Sequence, residues 1–159
     1  MSYKGRFKPK HPNKYKGDPT NIIYRSLWEQ KLMLYLDNHS DVVEWSSEEF
    51  AIPYRSPWDN RVHRYFPDFY VKRKNKEGKI ERVVIEVKPQ NRLVPPNPNK
   101  KWTPKGYKSR RYIKDVKMYA INQAKFKAAK TFCEGRGWDF TILTERELQP
   151  WKKLKKING

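Results

Sequence analysis

Two β-favouring runs joined by a short turn constrain this chain more than any other feature. Arg64-Tyr65-Phe66-Pro67-Asp68-Phe69-Tyr70-Val71-Lys72 and Ile80-Glu81-Arg82-Val83-Val84-Ile85-Glu86-Val87-Lys88 are rich in branched and aromatic residues, and Asn75-Lys76-Glu77-Gly78-Lys79 between them has the composition of a hairpin loop. Folding about Glu77 sets Asp68 opposite Glu86. Side chains alternate along a strand, so Lys88 shares the face of Glu86 while Val83, Ile85 and Val87 point the other way.

Directly opposed carboxylates repel unless a cation lies between them. Mg2+ suits such a pair, with Mn2+ as a substitute, because it takes oxygen ligands and is commonly held by one or two carboxylates plus a substrate phosphate. The chemistry this favours is phosphodiester hydrolysis, in which Lys88 positions or helps deprotonate water, or neutralises charge on the phosphate. Glu86 also interrupts the apolar run Val83-Val84-Ile85-x-Val87, where a buried acid needs a reason.

The rest of the chain reads as alternating helices and strands. Ser26-Leu27-Trp28-Glu29 has the form of a capping box and opens a helix over about 26–38. Glu29 caps that helix and also lines up with Leu32, Met33 and Leu36, so an auxiliary metal or water-orienting role is equally open to it. Val42 to Trp45 and Phe50 to Tyr54 are short strand candidates, with Pro53 placing the second at an edge. A helix over 113–136 carries Val116, Ala120, Ala124, Ala128 and Phe132 on one stripe and stops at Gly135 and Gly137; Phe140 to Leu143 returns as a strand, and a short helix from Glu145 to about Lys152 closes the order. The expected class is α/β (α+β), a mixed central sheet flanked by helices.

Charge supplies the partner. Among 159 residues, 36 Lys and Arg stand against 17 Asp and Glu, a formal net charge of +19, which points to a polyanion. The excess is concentrated. Residues 1–25, including Lys8 and Lys10, read as an extended basic arm, residues 26–150 as the core, and residues 151–159 as a basic tail. Within the core, a Pro-rich loop over 89–112 interleaves Trp102, Tyr107 and Tyr112 with Arg92, Lys100, Lys101, Lys105, Lys108, Arg110 and Arg111, the pairing of rings and cations used to grip nucleic acid. Aromatic residues at 14% exclude a merely disordered basic tail.

Other classes lack their residues. One cysteine, Cys133, cannot close an intrachain disulfide, and three scattered histidines offer no zinc site. No Gly-x-x-x-x-Gly-Lys-Ser/Thr segment is present, so cutting is expected to need no ATP, and no apolar run is long enough to span a membrane.

Pro67-Asp68, a spacer, and Glu86-Val87-Lys88 resemble the PD-(D/E)xK nuclease signature, with Glu29 on the preceding helix matching the extra acid many members carry. Tyr54, Arg64 to Phe69, Glu86-Val87-Lys88-Pro89 and Phe140 to Leu148 are similar to the TnsA-like branch, over roughly residues 22–150. More narrowly, the chain resembles the head-completion nucleases of T4-like tailed bacteriophages. The resemblance implies a restriction-endonuclease-like core, with Asp68 and Glu86 as metal ligands, the Val87 carbonyl as a further ligand, Lys88 as the catalytic lysine, Glu29 as the auxiliary acid and Gln90 touching substrate. It implies action on DNA in the host cytoplasm during head completion, alongside other head or neck proteins, with retention in the virion left open. Exonuclease capacity is also left open. The alternative is a non-catalytic basic DNA-binding protein of a nucleoprotein or virion assembly, and a transposition endonuclease shares the same core.

Overall fold

The structure, a computed structural model, describes residues 4–148, apart from the side chain of Leu148. The basic tail at 151–159 and the far end of the expected closing helix lie outside the described residues. In chain order the elements are β1 (Gly5–Phe7), β2 (Ile22–Tyr24), α1 (Leu27–Asn38), β3 (Val42–Ser47), β4 (Ile52–Arg55), β5 (Val62–Tyr65), β6 (Phe69–Lys74), β7 (Ile80–Val87), α2 (Arg110–Glu134), β8 (Asp139–Leu143) and α3 (Glu145–Leu148).

A four-stranded mixed sheet of order β3-β6-β7-β8 forms the centre. β3, β6 and β7 pair antiparallel, and β8 returns parallel to β7 after the α2 crossover. Odd-numbered residues of β6 and β7, namely Phe69, Val71, Val83 and Ile85, pack against Trp45 of β3 and Leu32, Met33 and Leu36 of α1. The opposite face meets α2, where Ala129, Ala128 and Phe132 pack with Phe140 of β8 and with Ile52 and Tyr65 of the β4–β5 hairpin. The result is a mixed sheet between helices, as expected.

The run from Arg64 to Lys72 is not one strand. β5 pairs with β4, whereas β6 pairs with β3 and β7, and the chain passes from one sheet to the other through Phe66, buried Pro67 and Asp68. Pro67 has no N–H to give a ladder, so the strand breaks there. Asp68 is thereby left at the threshold of β6.

The capping reading of α1 holds in a shifted form. Ser26 Oγ accepts the Glu29 N–H at 3.1 Å, while the Glu29 carboxylate reaches back to the N–H of Arg25 at 3.1 Å, one residue beyond the expected partner. In α2 the fully buried line is Asn122, Phe126, Ala129 and Cys133 rather than the stripe 116–132, whose members are only half-buried. A helix of this length rotates its stripe slowly, and Ala128 and Phe132 form its flank.

The N-terminal segment is a correction. The sequence reads residues 1–25 as an extended arm, yet β1 and β2 form a two-stranded sheet and Phe7, Tyr15 and Ile22 belong to the main core. Buried Asp37, near the end of α1, accepts the N–H groups of Lys10 at 2.7 Å and His11 at 3.1 Å. Lys14 Nζ donates to the carbonyls of Asp37 and His39 at 2.9 and 2.8 Å, so this lysine serves the C-terminal end of α1. Three apolar anchors and a buried carboxylate outweigh the repulsion of a basic segment.

Candidate active site

Asp68 and Glu86 meet where β6 begins and β7 ends. The hairpin register runs from Lys74 opposite Ile80 to Phe69 opposite Ile85, and one further step sets Asp68 against Glu86. The Glu86 carboxylate accepts the Tyr65 hydroxyl at 2.5 Å and the Asp68 N–H at 3.3 Å, both on Oε2. Asp68 Oδ2 accepts the Val87 N–H at 2.8 Å. Each carboxylate is thus fixed through one oxygen. Glu86 Oε1 faces Lys88 Nζ at 3.8 Å, and Asp68 Oδ1 makes no hydrogen bond among the described residues.

Glu86 is only 5% exposed. Burial and the Glu86 charge push the Asp68 carboxyl well above the carboxylate range, against the pull of the Val87 N–H and Lys88. Burial raises Glu86 too, against the pull of the Tyr65 hydroxyl and Lys88. Two such groups resist both being charged unless a cation joins them.

Two hard oxygens left without strong partners, in a water-poor setting, fit Mg2+ or Mn2+ with room for substrate oxygens in the remaining positions. No set of three or more His, Cys, Asp or Glu side chains among the described residues is arranged to hold a metal. Glu29 lies close enough for its charge to reach Asp68. Burial raises its own carboxyl, and its charge raises Asp68 in turn. Arg25 pairs with Glu48 beside it, and the Glu48 N–H donates to the Asp68 carbonyl at 3.3 Å.

Two groups escaped the sequence reading. Tyr65 precedes the motif and holds Glu86, and burial drives its hydroxyl far up as an acid, so it stays a donor. Lys125 reaches the site from α2, with Nζ 5.6 Å from the Tyr65 ring centroid and 5.8 Å from that of Tyr54. Burial lowers its ammonium pKa, Lys88 lowers it further, and Glu86 and Asp68 pull it back. Nothing in a helix with seven Lys and Arg singles out one lysine in advance.

The nucleic-acid-binding candidates divide into four places. Gln90 sits just past β7, its N–H donating to the Glu145 carboxylate at 2.9 Å. Arg92, Lys100, Lys101, Trp102, Lys105 and Lys108 follow on the Pro-rich loop, and Arg110 and Arg111 occupy the first turn of α2 behind the Ser109 cap. The loop is folded on itself: Trp102 bridges to Lys108, and the Ser109 N–H donates to the Lys101 carbonyl at 2.8 Å. Trp102 and Tyr107 stand 54% and 72% exposed at its end. Lys8 and Lys10 are not brought to this site, because Lys10 is tied to Asp37, two helical turns beyond Glu29.

An acid pair, buried at Glu86 and half-buried at Asp68, stands with an adjoining lysine at the end of a central strand, and residues 39–145 match the TnsA-like endonuclease N-terminal family. The chain belongs to the TnsA-like endonucleases. It is also 35% identical over 149 residues to the head completion nuclease of Enterobacteria phage T4, covering 94% of this chain and 95% of that protein. The matched family segment contains Asp68, Glu86, Val87, Lys88, Tyr65 and Lys125, with Glu29 lying outside it. No helix among the described residues is long and apolar enough to cross a membrane.

Proposed function

We propose that this chain is a Mg2+-dependent DNA endonuclease of phage head completion, acting in the host cytoplasm on packaged or end-exposed DNA before head and tail join, with other head or neck proteins as partners. The observation that carries the catalytic part is the convergence of Asp68 and Glu86, each fixed through one oxygen, beside Lys88. The phage role rests on the relationship to the T4 protein.

Asp68, Glu86 and the Val87 carbonyl would hold the ion, and the two carboxylates give up the proton that their repulsion otherwise retains. Bound there, Mg2+ supplies positive charge to the phosphate and makes water a better nucleophile. Lys88 stands where its ammonium can align that water or neutralise the charge gathering on the phosphoryl oxygens. Water oxygen bonds to phosphorus as the phosphorus–oxygen ester bond breaks, the water giving up a proton to solvent and the departing sugar oxygen taking one to leave as a hydroxyl, so the strand is nicked. Tyr65 keeps Glu86 turned toward the ion, and Lys125 adds positive charge from the opposite wall. The exposed lysines and arginines of the 89–112 loop supply affinity for phosphate without reading sequence.

The test is nicking of supercoiled plasmid by purified protein in Mg2+ or in EDTA, for the wild type and Asp68→Ala. Cutting is expected only from the wild type with Mg2+. Undiminished cutting by folded Asp68→Ala rejects the reading, and DNA binding without cutting by the wild type favours a structural role.

A further inference from the structure

Between the Pro-rich loop and the N-terminal half of α2 lies a cavity of about 390 Å³, outside the acid pair. Its wall contains Asn122, which is 5% exposed and whose side-chain amide makes no hydrogen bond among the described residues. A buried amide without a partner is costly to seal away, and here its polar atoms are not sealed but open onto the cavity. Arg92 and Arg111 line the exposed side, Arg92 being paired with Asp115 at 3.5 Å, and Tyr112 and Tyr119 contribute rings. Asn122 lies one helical turn before Lys125, whose ammonium feels Asp68 and Glu86.

We propose that this cavity receives one unpaired nucleotide next to the bond that is cut. The base enters between the loop and α2, its polar edge completing the Asn122 amide and its face against Tyr112 or Tyr119, while Arg92 and Arg111 hold the flanking phosphates. An amide offers a donor and an acceptor together, which matches a base edge and not a bare phosphate. The volume is in the range of a small-molecule site, and a paired base inside a duplex cannot reach it. This rests on the DNA nuclease reading above and adds to it a preference for DNA that is frayed, gapped or single-stranded at the site of cutting.

The experiment compares equilibrium binding, in EDTA, of a fully paired duplex and the same duplex carrying one unpaired 2-aminopurine, whose emission also reports unstacking. The wild type is expected to bind the unpaired substrate roughly tenfold more tightly, with a change in emission, the worth of one stacked and hydrogen-bonded base. Asn122→Ala and, separately, Tyr119→Ala are expected to lose most of that preference while binding the paired duplex as before. Equal wild-type affinity for the two duplexes, or a preference retained by both variants, overturns the proposal. Failure of the wild type to bind either duplex would instead remove the nuclease reading on which it stands.

Discussion

The acid pair and the basic loop carry opposite charge and use it in opposite ways. Asp68 and Glu86 are few, largely withdrawn from water and each held through one oxygen, Asp68 by the Val87 N–H and Glu86 by the Tyr65 hydroxyl and the Asp68 N–H, so each is worth much. Lys100, Lys101, Lys105 and Lys108 are many and exposed, so each is worth little and all are interchangeable. A site for chemistry concentrates its electrostatics, whereas a site for affinity spreads them.

The sharpest way to break the contrast is to remove one cation from each region. Lys88→Ala is expected to lower Mg2+-dependent nicking by about 10²- to 10³-fold, the usual loss for a preorganised charge at the reacting centre, with DNA affinity nearly unchanged. Tyr65→Phe is a milder blow to the same region, costing about 1.5–3 kcal/mol as the Glu86 carboxylate loses its hydroxyl donor. Since that donor lowers the Glu86 pKa, its loss is expected to move the Mg2+-binding curve to higher pH, as followed by titration of the metal into the apo protein.

Acidity tests the withdrawn region as a whole. The folded-state pKa values of Asp68 and Glu86 are raised, so their contribution to metal-free stability is full below the unfolded carboxylate range, about 4, and is lost as pH rises through the elevated folded values. Denaturant melts in EDTA should therefore show a stabilisation that weakens on going from acid toward neutrality, flattened in Asp68→Asn and reversed by added Mg2+. At the small end, Lys100→Ala with Lys101→Ala is expected to reduce the slope of log affinity against log salt by about one for each phosphate no longer neutralised, leaving the rate at saturating DNA intact.

Much of the candidate site was legible because a hairpin register is arithmetic. With the turn at Asn75–Lys79, the facing of Asp68 and Glu86 followed, and the observed pairing of Phe69 with Ile85 keeps it. The break at Pro67 does not disturb this, since Asp68 stays next in line. What escaped depends on tertiary contact: Lys125 is one of many lysines on α2, and Asn122 has no spacing that marks it. The packing of residues 4–25 escaped for a related reason. Phe7, Tyr15 and Ile22 are far apart with Pro9, Pro12 and Pro19 between them, so no continuous helix or strand pattern joins them, and the partner that fixes the segment, Asp37, lies on another element.

β7 is flanked on one side by β6 and on the other by β8, with the Lys88 N–H donating to the Leu143 carbonyl at 2.9 Å. During synthesis Asp68, Glu86 and Lys88 thus leave the ribosome more than fifty positions ahead of the strand that locks the backbone of β7. Until Leu143 has followed, β7 carries an open edge, and the arrangement of Glu86 and Lys88 has to wait for the docking of β8.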